Sequence, residues 1–470
     1  MYYCLNDRYA VRSWTGRPCC LLDRYTGKIA DLPFRDYQAL SFLDGKTAVD
    51  VLPQKVRSTV QQYEDNGCLK KSSKPIQPLD DWFQICENRC MPALYWSITG
   101  KCNYQCRHCY LDAPNGCYGE CTTAEALDLI KQIAECGIPV VNLSGGEPLV
   151  RNDFWTIVDA LIEKRIIIRQ IYTNGQLVDE AFLKQLKHKH IRPGIVFSFD
   201  GLGWHDWMRG YDGAENNVIS AMKLCKKHRF PFFVSMCVHK GNIQDLKRNI
   251  DFISEIGAQG IKIACVDSTE LWKRNAEGNE LDVKEFLPYV LEYIPEYFKY
   301  FVPMRVELCP YISMFPEGST VPYHLNAQKH QPTQTEDQIL LCGATRYECY
   351  VTPDLRVIPC MPMASTSYSK HFPSLRKVPL KDCLNDSLCF DIINARVSDL
   401  IEKNEKCAAC KDRTICGGGC RAKALTGKDQ SVWGCDYDAC YIFENGINEQ
   451  LVSVADAAVA KYRNGDKHSC

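Results

Sequence analysis

Residues 101–110 read KCNYQCRHCY, which sets Cys102, Cys106 and Cys109 at C-x3-C-x2-C spacing with no fourth thiol in the run. Soft thiolates this close together select an iron–sulfur cluster or zinc. Three protein ligands leave one metal position open, and an open position serves chemistry rather than scaffolding. A second field, CAACKDRTICGGGC, sets Cys407, Cys410, Cys416 and Cys420 at C-x2-C-x5-C-x3-C. Four thiolates suit either a cluster or zinc. Cys342, Cys349 and Cys360 lie upstream of that field, and Cys435 and Cys440 lie downstream.

The rest of the composition is that of an ordinary globular chain. Of 470 residues, 46% are hydrophobic and 24% charged, and the formal net charge is −1. No global field draws the chain to nucleic acid or to a membrane surface, so a peptide or small molecule is the expected partner. No apolar run reaches spanning length, and MYYCLNDRYAVRSWTG lacks the apolar core of a signal peptide. The expected compartment is the cytoplasm, where disulfides are rare. A large share of the 28 cysteines is therefore expected to hold metal.

Positioning these thiols requires several units. Residues 1–72 read as a small module. RYAVRSW and CCLLDRYTG are strands of a hairpin, FRDYQALSFLDG and VRSTVQQYEDNG are helices each closed by a Gly, and CLKKSS is a last strand. Residues 73–91 read as a Lys/Ser/Pro linker. From 92 to 310 strand and helix alternate. The strands ALYWSIT, IPVVNLS, IIIRQIYT, GIVFSFD, FPFFVSMCV and GIKIACV are continuous apolar runs, as strands buried on both faces require. The first helix opens with Thr122 and Glu125 in capping-box register, with Leu127, Ile130, Ile133 and Ala134 on its apolar face. The expected fold class is α/β: a partial (β/α)6 parallel barrel with a small N-terminal α+β, winged-helix-like domain. Residues 311–340 read as a connecting loop. Residues 341–470, cysteine-dense and with little periodicity, read as an irregular metal-organised domain.

The cysteine loop follows the first barrel strand, at the face where βα loops converge. SGGEPL (Gly145, Gly146, Glu147, Pro148) follows the second strand and YTNG (Asn174) the third. SFDG (Ser198, Asp200) and then HDWMRG (Arg209, Gly210) follow the fourth. One at a time these are common turns. In order after successive strands they make a pattern, and it resembles the radical S-adenosylmethionine (radical SAM) superfamily over roughly 92–310. The resemblance implies a [4Fe–4S] cluster on Cys102, Cys106 and Cys109, with S-adenosylmethionine on the remaining iron. Glu147 and the glycines before it would hold the methionine amino group. Asn174, Ser198, Asp200 and Arg209 would contact ribose or carboxylate, and Tyr104 or Tyr110 would lie near adenine. His205 reads as a loop hydrogen-bonder rather than a base.

The second field resembles the SPASM domain of peptide-modifying radical enzymes, which implies two auxiliary [4Fe–4S] clusters. The first would use Cys342, Cys360 and Cys420, with Cys349 as candidate fourth ligand. The second would use Cys407, Cys410 and Cys416, closed by Cys440 or Cys435. Zinc remains the alternative for this field. The chain departs from the pattern at Leu355, where a glycine is usual, and at Met361, where sulfatase-maturing relatives carry Asp. Cys225, Cys237 and Cys265 read as small buried hydrophobes. Cys19, Cys20, Cys86, Cys90, Cys117, Cys121, Cys383, Cys389 and Cys470 receive no role. By its layout the N-terminal module is similar to leader-recognition domains of peptide maturases. A winged helix that binds DNA is the alternative, but VRSTVQQYEDNG is not a basic helix. The resulting expectation is a maturase that abstracts hydrogen from a ribosomally made precursor peptide and forms a cross-link, foremost a Cys thioether. Flavodoxin or ferredoxin would be the reductant. Carbon–carbon cross-linking, epimerisation and formylglycine formation are the alternatives within the class. A non-catalytic iron–sulfur carrier is the alternative outside it.

Overall fold

The computed structural model describes residues 1–328 and 334–463. Cys470 and residues 329–333 of the connecting stretch lie outside the described residues. In the N-terminal part, strands β1 (Tyr2–Leu5), β2 (Tyr9–Thr15), β3 (Arg17–Asp23), β4 (Ile29–Asp31), β5 (Leu69–Ser72) and β6 (Phe83–Arg89) form two small sheets, β1-β5 and β4-β3-β2-β6. The hairpin β2–β3 is antiparallel, as the alternation requires. The stretch 73–91, expected to be a linker, carries β6, which runs parallel to β2. Its residues alternate in burial, with Cys86 and Asn88 inside and Ile85, Glu87 and Arg89 outside. The helix Gln54–Asp65 ends two residues before Gly67, whose φ is +69°. The helix Phe34–Ser41 instead ends well before Gly45. Gly45 serves a close approach, since a Cβ there would lie 2.0 Å from the Ile76 carbonyl oxygen.

The module is keyed to the next unit. Trp14 Nε1 donates to the Cys136 carbonyl at 2.9 Å. Asp81 accepts Arg24 Nη1 at 2.7 Å and an Arg165 N–H, with Arg12 3.9 Å away.

Beyond it run β7 (Ala93–Ser97), β8 (Val140–Ser144), β9 (Ile167–Thr173), β10 (Gly194–Ser198), β11 (Phe232–Val238), β12 (Gly260–Cys265) and β13 (Arg305–Cys309). Each pairs in parallel with the next. The connecting helices are Thr123–Glu135, Phe154–Glu163, Glu180–His188, Ala214–His228, Leu246–Ile256 and Val283–Lys299. The expected six units are present, and β13 adds a seventh strand. The connecting stretch is more than a loop, because β14 (Ile312–Met314) pairs antiparallel with β13 and β15 (Tyr323–Leu325) pairs antiparallel with β14. The other edge is supplied by the cysteine-dense region: β16 (Glu348–Val351) lies parallel to β7, and β17 (Val357–Ile358) closes a hairpin on it. The sheet stays open, ending at β15 and β17.

The strands are not buried alike on both faces. Burial along β11 alternates strictly, with Phe232, Val234, Met236 and Val238 buried and Phe233, Ser235 and Cys237 half-buried. Register carries the alternation across the sheet. Leu94, Val141, Ile171, Ile195 and Ile261 share the apolar core with the helices, while Tyr95, Asn142, Gln170, Ser235 and Lys262 fall on the opposite, polar face. The capping box at Thr122 and Glu125 forms. The buried stripe of that helix is Ala126, Leu129, Ile130 and Ile133, and Leu127 is exposed. The C-terminal region is not irregular but a string of short helices. It ends in Ile447–Tyr462, which packs on Val283–Lys299 and so joins the barrel core. No described helix is long and apolar enough to cross a membrane.

Asp81→Asn leaves the surrounding guanidiniums without their carboxylate. The expected loss is about 1–3 kcal/mol at the module–barrel contact. It reads out as faster proteolysis within residues 73–82 than in the unaltered chain.

Candidate functional site

The loop between β7 and Thr123–Glu135 has no regular structure except the 3-10 turn Ala113–Asn115. Its neighbours hold its shape. On one side Gly146 N–H donates to Thr99 O at 2.8 Å and Glu147 N–H to Lys101 O at 2.9 Å. On the other, Gln105 N–H donates to Arg209 O at 3.2 Å and Arg107 N–H to Met208 O at 2.9 Å. Both clamps need glycine. A Cβ on Gly146 would lie 2.2 Å from Lys101 O, and one on Gly210 (φ +59°) 2.4 Å from Gln105 O. A Cβ on Gly145 would meet Thr99 O at 2.7 Å. Pro148 is buried and opens the turn Pro148–Val150.

All three sulfurs of the loop face an N–H donor: Tyr104 N to Cys102 Sγ at 3.4 Å, Ala113 N to Cys109 Sγ at 3.4 Å, and Arg209 Nη1 to Cys106 Sγ at 3.8 Å. Burial, then the charges of Cys106, Glu147 and Cys109, pushes the Cys102 thiol up to about 12, despite the Tyr104 N–H. Burial and then Cys106 push Cys109 up to about 11. Such thiols ionise only when a cation is supplied among them, and a metal supplies it.

Glu147 is wholly buried and accepts from Thr173 Oγ1 at 2.9 and 3.0 Å, Asn174 N at 2.7 Å and Leu149 N at 3.1 Å. Burial nevertheless pushes its carboxyl up to about 7, and among the described residues no basic side chain is paired with it. A buried carboxylate in this state fits a ligand ammonium group.

Other expected contacts are committed within the protein. Asn174 Nδ2 donates to Asn103 Oδ1 at 2.7 Å, tying the YTNG loop to the cysteine loop. Tyr104 is buried and stacks on Tyr211 at 4.5 Å between ring centroids. Tyr110 lies among Tyr350, Ser97 and Ser144 at the barrel interior. Asp200 and Arg209 form a buried ion pair at 2.7 Å. Burial alone would raise the Asp200 carboxyl, but Arg209 and His205 hold it well below the usual carboxylate range. His205 Nδ1 accepts the Asp200 backbone N–H at 3.0 Å. Ser198 ends β10 on the polar face, opposite Ser235. Ligand atoms of His108, Asp200 and Cys237 lie within 4.8 Å of one another. Arg209 already neutralises that carboxylate, so the set is not read as a metal site.

The second cysteine field divides into two groups. The Cys360 thiol is raised by burial, then by Cys420 and Cys342. Cys349 is not with them. It is buried on the apolar face of β16, opposite to Glu348 and Tyr350, and its thiol is raised by burial and then by Glu348 and Cys383. The strand's period of two sets its side chain on the face of Leu94, with Tyr350 on that of Tyr95. The other group contains Cys407, pushed up to about 12 by burial and then Cys435, and Cys440, pushed up to about 11 by burial against Lys406. The charges of Cys435, Cys440 and Cys416 all act within this group, so Cys435 and Cys440 both reach it. Cys410 follows Cys407 through a 3.2 Å backbone hydrogen bond. Leu355, where a glycine was expected, takes the left-handed turn at φ +66°. Its side chain is buried, which offsets a strain of about 1–2 kcal/mol.

Cys237 and Cys265 are half-buried rather than core residues. Cys237 faces Asp200 and Arg209, and Cys265 lines a cavity of about 420 Å³ with Asp267, Lys423 and Asp438. A neighbouring cavity of about 530 Å³ joins Glu307 and Cys309 of β13 to Cys420 and Lys423. Lys262, Asp267 and Glu307 were missed in the sequence. Their signal was a charge within or just after an apolar run, as in GIKIACVD and RVELC.

Residues 96–253 match the model of the radical SAM superfamily. The chain carries a radical SAM domain. It is 25% identical over 350 residues to an AdoMet-dependent heme synthase of Methanosarcina barkeri, covering 70% of this chain and 90% of the relative. It is 27% identical over 337 residues to a PqqA peptide cyclase of Granulibacter bethesdensis, covering 70% and 83%. The fold resembles Streptococcus suis SuiB bound to precursor peptide SuiA, with a TM-score of 0.64 at 16% identity, covering 93% of this chain and 99% of SuiB. In the radical SAM domain, the clamped loop with its three sulfurs and the unpaired Glu147 carboxylate are the features suited to a cluster and an amino-bearing ligand.

Gly146→Ala drives a Cβ into the Lys101 carbonyl. The expected result is loss of iron from the Cys102–Cys106–Cys109 loop, seen as a lower iron count per chain, with the thermal unfolding midpoint of the N-terminal module unchanged.

Proposed function

We propose that this chain is a radical SAM maturase of a ribosomally made precursor peptide, forming a Cys thioether cross-link. One observation carries the reading. One chain carries both the clamped loop of Cys102, Cys106 and Cys109 after β7 and a second thiol group, in which Cys420 and Cys342 act on the buried Cys360 thiol.

Cys102, Cys106 and Cys109 would hold a [4Fe–4S] cluster, and Glu147 would take the amino group of S-adenosylmethionine. Once bound and reduced, that pair supplies the hydrogen-abstracting 5′-deoxyadenosyl radical. The chain's own work is to orient and to exclude. The Asp200–Arg209 pair keeps a fixed positive charge beside Cys106. The phenols of Tyr95, Tyr172 and Tyr350 floor the concave face, with Tyr95 4.8 and 5.5 Å from the other two rings. Cys342, Cys360 and Cys420 would hold one auxiliary cluster with an iron left for the peptide sulfur. Cys407, Cys410, Cys416 and Cys440 or Cys435 would hold the other. The chemistry that auxiliary clusters held by these thiols would supply is the acceptance of one electron, and the thiol proton would leave to the protein.

The peptide reading is supported by the relative that is a peptide cyclase. It is supported also by likeness to SuiB over 93% of this chain, a span that includes part of the N-terminal module. The module would bind a leader, and flavodoxin or ferredoxin would reduce the clusters. Formation of heme from S-adenosylmethionine and reductant would instead favour the activity for which the Methanosarcina relative is named.

Cys102→Ala is expected to abolish 5′-deoxyadenosine formation under anaerobic, reducing conditions. Cys407→Ala is expected to retain it while failing to remove two hydrogens from a co-expressed Cys-bearing peptide encoded beside this chain. Full modification by Cys407→Ala would exclude the auxiliary clusters from the mechanism.

A further inference from the structure

The parallel strands start at one edge of the sheet and end at the other, where the three-thiol loop stands. The starting edge holds two cavities that no role above uses. One, of about 500 Å³, is lined by Arg192, Lys226 and Arg229 around Phe230, with Gln259 just ahead of β12, and by no carboxylate. Lys187 joins them: its Nζ and the Arg192 guanidinium lie 5.9 and 5.8 Å from the centre of the Phe230 ring. All four cations are exposed. The other cavity, of about 730 Å³, lies at the starts of β8 and β9. Arg12 and Arg24 of the N-terminal module line it together with Arg165 and the apolar Leu22, Ile138 and Ile166. Strands β8 to β12 are consecutive in the sheet, so the two cavities share one edge.

The carboxylates near this edge do not balance it. Asp159 is held by Lys189. Glu180 serves Lys184 at 3.9 Å, Lys227 at 3.6 Å and His228 at 3.1 Å. Asp81 is shared by Arg12, Arg24 and Arg165, and Glu163 pairs with Lys164 at 3.3 Å. Asp80 lines the larger cavity and offsets one further charge there. Lys187, Arg192, Lys226 and Arg229 make no ion pair among the described residues. Lys226 Nζ donates to the Glu255 carbonyl at 3.1 Å and Arg192 to the Arg229 carbonyl. Cations in the last turn of a helix are favoured by its carbonyl end, which accounts for the places of Lys187 and Lys226. It does not account for Arg192, which stands beyond the end of its helix at His188, nor for Arg12 and Arg24, which come from the module. The formal net charge of −1 conceals this local excess.

Resting on the maturase reading, we infer that this edge binds an extended, acidic segment of the precursor's leader, laid across the starts of β8 to β12 from the module seam. Four strand spacings of about 4.8 Å are crossed by about six extended residues. Carboxylates along the segment meet the cations that the chain leaves unpaired. Apolar side chains among them cover Leu22, Ile138 and Ile166 in the larger cavity. The module thus holds the leader together with the barrel, not by itself.

The test titrates the anaerobically reconstituted full chain into two fluorescein-labelled peptides and reads fluorescence anisotropy. The probes are Glu-Glu-Leu-Glu-Glu-Leu-amide and its counterpart Gln-Gln-Leu-Gln-Gln-Leu-amide. The acidic peptide is expected to bind about tenfold more tightly than the neutral one, and to weaken as salt is added. Arg165 and Arg229 have left-handed backbone, φ +56° and +61°, which glycine adopts freely. Arg165→Gly and Arg229→Gly are therefore expected to fold as the unaltered chain does, by circular dichroism, and each to weaken acidic-peptide binding about threefold to fivefold. Lys377→Gln, at an exposed cation of the cysteine-dense region, is expected to bind as the unaltered chain does. Equal binding of the two peptides overturns the inference, as does an Arg229→Gly chain that keeps the full affinity. A Lys377→Gln chain weakened as much as Arg229→Gly also overturns it, because the attraction is then that of the whole surface. Tighter binding of hexauridylate than of the acidic peptide overturns it in favour of nucleic acid. Each of these outcomes leaves the maturase reading standing where 5′-deoxyadenosine still forms. Absence of 5′-deoxyadenosine from a chain that binds the acidic peptide overturns the parent reading, and with it the assignment of the segment to a leader.

Discussion

Three thiols in an irregular loop cannot keep their own spacing. The structure depends on how backbone from two other strand-end loops holds that loop in place. Gly146 and Gly210 let main chain approach main chain where any side chain would collide. The hydrogen bonds so formed fix the loop from both sides, and two of the loop's own N–H groups together with the Arg209 guanidinium point at its sulfurs. Conformational entropy would otherwise spread the sulfurs over many arrangements. The glycines of GGEP and HDWMRG are thus explained first by packing against the loop.

The sheet underneath separates two environments. Its apolar side chains meet the helices and make one core, to which the last helix, Ile447–Tyr462, also contributes. Its other side carries phenols, amides, hydroxyls, a lysine and carboxylates. The edge strand β16 is the join. It takes its place beside β7 and carries the second cysteine field to the barrel.

That join also sorts the thiols. Tyr350 lies beside Tyr95 on the polar face, so Cys349 lies beside Leu94 on the other. The remaining upstream thiols group with Cys420, while Cys407, Cys435 and Cys440 gather separately. Charge is arranged in the same economical way. Asp200 is spent on Arg209 and Asp81 on the module's arginines, whereas Glu147 is paired with no basic side chain among the described residues.

The sequence by itself determined the alternation of strand and helix, the capping box at Thr122, the three-thiol loop and the order of the polar strand-end motifs. These are local: they follow from periodicity, turn chemistry and spacing within a few residues. Tertiary structure alone decided which face of each strand is polar and that FQICENR pairs with β2. It also decided that Cys349 is a core residue, and that Asn174 and Arg209 brace the cysteine loop. Each of these depends on what lies across a sheet or beneath a loop, from residues tens to hundreds of positions away. Asp267 is the clearest case. In the chain it is one acid after an apolar run, and only the fold brings Lys423 and Asp438, more than 150 residues on, to line one cavity with it.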